Sequence, residues 1–176
     1  MEFSEKTLSS KKIFNGRIVE VYQDSAKIST GQEVYREVVR HTGGVVILAF
    51  KNEDTILMVK QFRYPIQQVS LELPAGKLER GEDPFLAAKR ELEEETGYMA
   101  EIWTDLGHVY TSPGYSDEKL YLYKAENLKF IGEHPDDGEI ISAYEYKFSD
   151  VKKMIKSGDI TDAKTLCAIL RNDIND

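Results

Sequence analysis

Along residues 13–40 apolar and polar positions alternate, interrupted at Gly16 and Gly31. This period of two predicts two or three short strands in a ribbon, after a polar lead-in. A ribbon that small is marginal alone and has to pack on something. GGVVILAF (43–50) and TILMVKQFR (55–63) flank the polar KNED and predict strand, turn and strand, with VSLEL (69–73) as a further short strand. From Asp83 to Gly97 the pattern becomes helical, with Asp83 as N-cap, Pro84 at the first helical position and Gly97 as the stop. Strands are expected again at 100–109, 118–125 and 140–148, and helices at 149–157 and 161–172. Strands and helices mix without regular strand-helix alternation.

With 176 residues and 41% apolar content, the chain is long enough for one compact domain with a small appendage. The net charge of -8 and a pI near 5.0 argue against a nucleic-acid-binding surface, because phosphate backbones are held chiefly by clustered Lys and Arg. MEFSEKTLSSKK at the N-terminus has no apolar core, and the longest apolar run is VVILAF. Neither a signal peptide nor a membrane span is therefore expected, and a reducing cytoplasm is the expected location. The single cysteine, Cys167, reads as a small hydrophobe within an apolar-periodic segment.

RELEEETG (90–97) alters this plain picture. Glu91, Glu94 and Glu95 share roughly a third of the helix circumference at about 100° per residue, beside an apolar stripe of Phe85, Ala88 and Leu92. Cations, not anions, are favoured near a helix C-terminus. Like charges three or four apart also repel by roughly 0.2–0.5 kcal/mol per pair. A solvated acidic face would ordinarily carry a Lys or Arg four residues beyond Glu91, and none is there. Hard divalent cations bind carboxylate oxygens, and Mg²⁺ uses one or two carboxylates together with substrate phosphates and water, so a metal site is the alternative.

Gly76, five residues, Glu82, seven residues and then Arg90-Glu91-Leu92-Glu93-Glu94-Glu95-Thr96-Gly97-Tyr98 closely resemble the Nudix box. Tyr98 departs from the aliphatic residue usual there and calls for a packing adjustment. The resemblance implies an α/β Nudix fold, a mixed β-sheet sandwiched between helices, over residues 41–176, with residues 1–40 as an N-terminal β-ribbon region. It implies hydrolysis of a nucleoside diphosphate linked to another moiety. It also implies Glu91 and Glu95 as metal ligands, the Ala75 carbonyl as a further one and Glu94 as a third carboxylate, with Mg²⁺ as the ion and Mn²⁺ as its alternative. Arg90 is expected to orient the glutamates, and Glu82 to support the loop and helix.

Pro113, sixteen residues after Gly97 in YTSPGYSDE, with KQFRYP (60–65) and REVVRHTGG (36–44), resembles the ADP-ribose pyrophosphatase subgroup. The implied substrate is ADP-ribose or a related ADP-sugar. Another sugar nucleotide such as GDP-mannose, or a dinucleoside polyphosphate, is the alternative; a noncatalytic ADP-ribose-binding regulatory domain is the reading from a different class. Arg36 and Arg63 become candidates for phosphate or ribose contacts, Glu118 for ribose hydroxyls, and the main chain near Lys77 for one more contact. The subgroup usually takes its base from an acidic loop after the box. HPDDGE (134–139) corresponds, with Glu139 preferred and Asp137 second. An additional metal ligand is the other role open to Glu139. The resemblance also implies a homodimer with exchanged N-terminal regions, and the expected partner is a small nucleotide-sugar substrate, with neither nucleic acid nor membrane.

Overall fold

The computed structural model describes residues 3–132 and 141–175. They fall into two compact units, 3–43 with 110–119, and 44–109 with 120–175.

In the first unit β1 (Glu5–Asn15), β2 (Val19–Ile28) and β3 (Glu33–His41) form an antiparallel sheet in that order. The β2–β3 turn needs Gly31, whose φ of 92° is left-handed. β1 begins at Glu5, inside the stretch read from the sequence as a polar lead-in. Every side chain of β1 is exposed, so no alternation marks it, and its pairing with β2 over Glu5–Asn15 defines it instead. Residues 110–119 lie along β3: the Val39 N–H donates to the Tyr115 carbonyl at 2.7 Å, and the Asp117 N–H to the Val39 carbonyl at 3.1 Å.

The second unit holds a mixed seven-stranded sheet. Its strands are β4 (Gly44–Asn52), β5 (Thr55–Arg63), β6 (Gln68–Glu72), β7 (Ala75–Lys77), β8 (Tyr98–Tyr110), β9 (Lys119–Phe130) and β10 (Ile141–Lys147). The main path runs β10-β5-β4-β9-β8, with β6 on β5 and β7 on β4. β4 runs parallel to β9 and antiparallel to β5 and β7. The short β7, Ala-Gly-Lys, has no β-branched residue and no alternation, which is why the sequence does not announce it. The α-helices among its described residues are α1 (Pro84–Thr96), α2 (Phe148–Ser157) and α3 (Ala163–Asn175).

β4 separates two cores because successive side chains point to opposite faces. Val46, Leu48 and Phe50 pack with Val151, Ile160, Ala168 and Ile169 on the α2 and α3 side. Val45, Ile47 and Ala49 pack with Ala87, Ala88 and Leu92 of α1 on the other. A strand covered on both faces reads as a continuous apolar run, and VVILAF is one. Helices on both faces make the expected sandwich. Cys167 packs at the margin of the α2–α3 core and is partly buried.

The boundaries of α1 follow from its caps. Asp83 Oδ1 accepts from the Phe85 and Leu86 N–H groups at 3.0 and 3.1 Å, and Pro84 starts the helix. Gly97 ends it at φ 72°, where a Cβ would sit 2.7 Å from the Gly132 carbonyl oxygen. Asp83→Ala should destabilise the protein by about 1 kcal/mol, whereas Asp83→Asn keeps a capping oxygen and should stay near wild type. Urea unfolding of the whole chain measures both.

Candidate active site

The acidic end of α1 is organised by one guanidinium. Arg90 Nε donates to Glu82 Oε1 at 3.0 Å and Nη2 to Glu82 Oε2 at 3.1 Å. Its Nη1 donates to Glu91 Oε1 at 2.7 Å and to Glu94 Oε2 at 2.8 Å. These are charge-assisted bonds, and the fork shape of the guanidinium lets one cation serve three carboxylates. The hydrogen bonds from Arg90 hold the Glu82 carboxyl below its ordinary range, and those contacts push Arg90 up in turn, Glu82 foremost. Glu82 also accepts from the Glu79 N–H at 2.8 Å, which ties the loop before α1 to the helix. Arg90 and Glu82 thus take the supporting places expected of them.

Glu91 and Glu95 reach the β7 strand. The Ala75 N–H donates to Glu95 Oε2 at 2.9 Å. A Cβ placed on Gly76 would come within 1.8 Å of the Glu91 carboxyl carbon, so any other residue there would move the Glu91 carboxylate from this position. β7 is pinned to β4 with Ala75 opposite Val46 and Lys77 opposite Gly44, and the Lys77 carbonyl lies 3.5 Å from Arg90 Nη2. Ala75, Lys77, Glu91, Glu94 and Glu95 therefore gather around one strand end and one helix end. Among the described residues no three Asp, Glu, His or Cys side chains already converge as a metal-ligand group. Glu91 and Glu94 face the Arg90 cation instead. The donor set still fits a hard divalent ion: it is all carboxylate and carbonyl oxygen, and the glycine cradle brings Glu91 against the β7 backbone.

Arg63 belongs to a separate network in the same unit. Its Nε and Nη2 donate to the two Glu72 oxygens at 2.8 and 2.5 Å. Glu72 is only 2% exposed and is also bound by Lys164, which donates to Asp162 at 2.8 Å. The sequence reading missed Glu72, Lys164 and Asp162. The available signal was a glutamate inside the apolar VSLEL, since a buried carboxylate requires cationic partners.

Arg36 and Glu118 belong to the ribbon unit. Arg36 forms a two-pronged pair with Glu5, at 3.0 and 2.6 Å, beside a pocket of about 500 Å³ lined also by Asp24, Arg40, Pro113 and Tyr115. Glu118 accepts from Thr111 Oγ1 at 2.7 Å. His41 Nδ1 stands 3.5 Å from Glu118 but accepts the Gly43 N–H at 2.9 Å, so that nitrogen carries no proton to give the carboxylate. Glu139 and Asp137 lie outside the described residues.

A NUDIX domain profile matches residues 40–168. The chain belongs to the NUDIX family. It is 42% identical over 167 residues to an ADP-ribose pyrophosphatase of Bacillus subtilis, covering 94% of this chain and 90% of that protein. It is 43% identical over 169 residues to a methanol dehydrogenase activator of Bacillus methanolicus, covering 95% and 91%. The crystal structure of an ADP compounds hydrolase superposes on it with a TM-score of 0.87 at 20% identity, covering 99% of this chain and 95% of that one, a likeness of fold. The NUDIX fold expected from the box is thus the fold observed.

Burial alone would raise the Glu72 carboxyl, but the Arg63 hydrogen bonds and the Lys164 charge outweigh it and bring it from 4.5 down to about 2. A carboxyl depressed in the folded state stabilises the protein above its unfolded value and loses that contribution as pH falls through the folded one; here it is on the order of 3 kcal/mol. The stability gap between wild type and Glu72→Gln should be widest above pH 4.5 and narrow toward pH 2. Thermal unfolding across that range measures it, and a gap independent of pH contradicts the assignment.

Proposed function

We propose that this NUDIX protein hydrolyses the pyrophosphate bond of ADP-ribose, or of a related ADP-sugar, to AMP and a sugar phosphate, ribose 5-phosphate in the case of ADP-ribose. The observation that carries this reading is the meeting of Glu91 and Glu95 at the Ala75–Gly76 backbone, with Arg90 holding the neighbouring carboxylates. The similarity to an ADP-ribose pyrophosphatase over nearly the whole chain supports the substrate class.

Glu91, Glu95 and the Ala75 carbonyl, with Glu94 as a third carboxylate, would hold Mg²⁺, or Mn²⁺ in its place. When bound, such an ion polarises diphosphate oxygens and lowers the pKa of an attacking water. Arg90 fixes the carboxylate positions through Glu82, and Gly76 leaves room for Glu91. Arg36, Arg63, Lys77 and Glu118 are the proposed substrate contacts. Glu139, with Asp137 second, is the proposed acceptor of the water proton.

The test is incubation of the protein with ADP-ribose, with and without Mg²⁺, followed by product identification. AMP and ribose 5-phosphate are expected only with the divalent ion. Glu95→Gln should lower kcat at least about a hundredfold, the worth of a few kcal/mol at the transition state. Glu139→Gln should lower it by a similar factor. Turnover that survives excess chelator sinks the metal proposal, and a faster rate on GDP-mannose or a dinucleoside polyphosphate reassigns the substrate. A relative named for activating methanol dehydrogenase favours a regulatory second reading, and ADP-ribose binding without products would move the conclusion there.

We propose further that the protein is a cytoplasmic homodimer built through its N-terminal ribbon. β1 is exposed along its whole length, and Leu8, Ile13, Phe14 and Ile18 present apolar surface on the same sheet or its β1–β2 turn. Asp24, Ala26 and Gly43 alone are buried among the described residues of that unit. Light scattering should give twice the chain mass of 20.1 kDa, and a monomer at working concentration removes the dimer.

A further inference from the structure

Residues 72–76 lead into the β7 strand that Glu91 and Glu95 meet, and each of the five is held by a different contact. The Glu72 carboxylate is bound by Arg63 and Lys164. The Leu73 N–H donates to Thr165 Oγ1 at 2.9 Å. The Pro74 carbonyl accepts from the Ile47 N–H at 2.8 Å. The Ala75 N–H goes to Glu95, and Gly76 lies against Glu91.

The α3 end of this chain of contacts is directional. Thr165 Oγ1 gives its one proton to Asp162 Oδ2 at 2.7 Å, which leaves a lone pair to receive the Leu73 N–H. Asp162 also accepts the Thr165 N–H at 3.0 Å and, through its carbonyl, the Leu166 N–H at 3.1 Å, so it caps α3. Lys164 then bridges Asp162 to Glu72. Thr165 and Leu73 are both fully buried, so water does not replace either bond.

We propose that Thr165, with Asp162 and Lys164, is a positioning cluster that sets the Glu91 and Glu95 carboxylates from the opposite face of the sheet, acting through residues 72–76. α3 packs on one face of β4 and α1 on the other, and the 72–76 segment is bonded to both helices. Valine at 165 fills a similar volume but offers the Leu73 N–H no acceptor. A purely packing role would tolerate it. Outer-shell partners of metal-binding carboxylates are commonly worth about ten- to a hundredfold in metal affinity. The inference rests on the reading that Glu91 and Glu95 hold a divalent cation.

The experiment measures Mn²⁺ binding by electron paramagnetic resonance on the full chain without substrate, together with hydrolysis rates. Thr165→Ser should bind Mn²⁺ within about twofold of wild type, and Thr165→Val about tenfold more weakly. For Thr165→Val the Mg²⁺ concentration giving half-maximal rate should rise by a similar factor, while KM for ADP-ribose at saturating Mg²⁺ moves less than about twofold. Wild-type Mn²⁺ affinity in Thr165→Val, whatever its loss of Tm, overturns the proposal. If Thr165→Val does not fold, Lys164→Met decides: it keeps the Thr165–Leu73 bond and the Arg63–Glu72 pair, so weakened Mn²⁺ binding supports the cluster and unchanged binding refutes it. Absence of Mn²⁺ binding in the wild type itself overturns the metal reading and this inference with it, an outcome distinct from one confined to the variants.

Discussion

Arg90 is the charge around which the acidic end of α1 is built. Glu91 and Glu94 stand one helical turn apart, next to a helix terminus that already carries partial negative charge, and Glu82 arrives from the preceding loop. Without a shared cation these groups would push one another outward into water. With Arg90 they are drawn into one fork of hydrogen bonds, and the loop and helix become a single rigid body. One positive charge against three carboxylates leaves those four side chains at a net charge of -2. The arrangement is thus ordered and still attractive to a further cation.

That order would be of little use on a mobile strand. β7 has only three residues and could not hold its register unaided, yet Gly76 must stay where the Glu91 carboxylate meets it. The sheet solves this by burying β4 on both faces and hanging β7 from it, while the 72–76 segment is tied in turn to β5, α3, β4 and α1. Buried polar groups are costly unless every member is satisfied, and satisfied networks confine the backbone more narrowly than apolar packing does. The precision of the acidic cluster therefore has its source on both sides of the sheet.

How much of this is legible in the sequence depends on whether a feature is local. α1 is legible to the residue, because Asp83, Pro84 and Gly97 each act on the backbone within one turn of themselves. The spacing of Gly76, Glu82 and the α1 glutamates is legible for the same reason. β1 is not, because a strand exposed on both faces carries no alternation. The engagement of Arg63 with Glu72 is hidden for a different reason: its other partner, Lys164, is 92 residues from Glu72, and only the folded sheet brings the three together. Thr165 looked like an ordinary residue of the last helix. Asp162 caps α3 in the fold, but nothing local points from α3 to Leu73.

The pairing of the arginines also bears on how an anionic diphosphate is attracted. Arg36 is matched by Glu5, and Arg63 by Glu72, each through two hydrogen bonds. A guanidinium already paired in this way offers donors and shape but little net charge. Lys164 does not change the balance, since it shares Glu72 and brings Asp162 with it, two cations facing two carboxylates. The chain as a whole carries -8, so its long-range field repels anions. On the proposed function, attraction for a diphosphate comes from a cation that the protein does not encode, and among the described residues the acidic cluster around Arg90 is where the side chains would favour one.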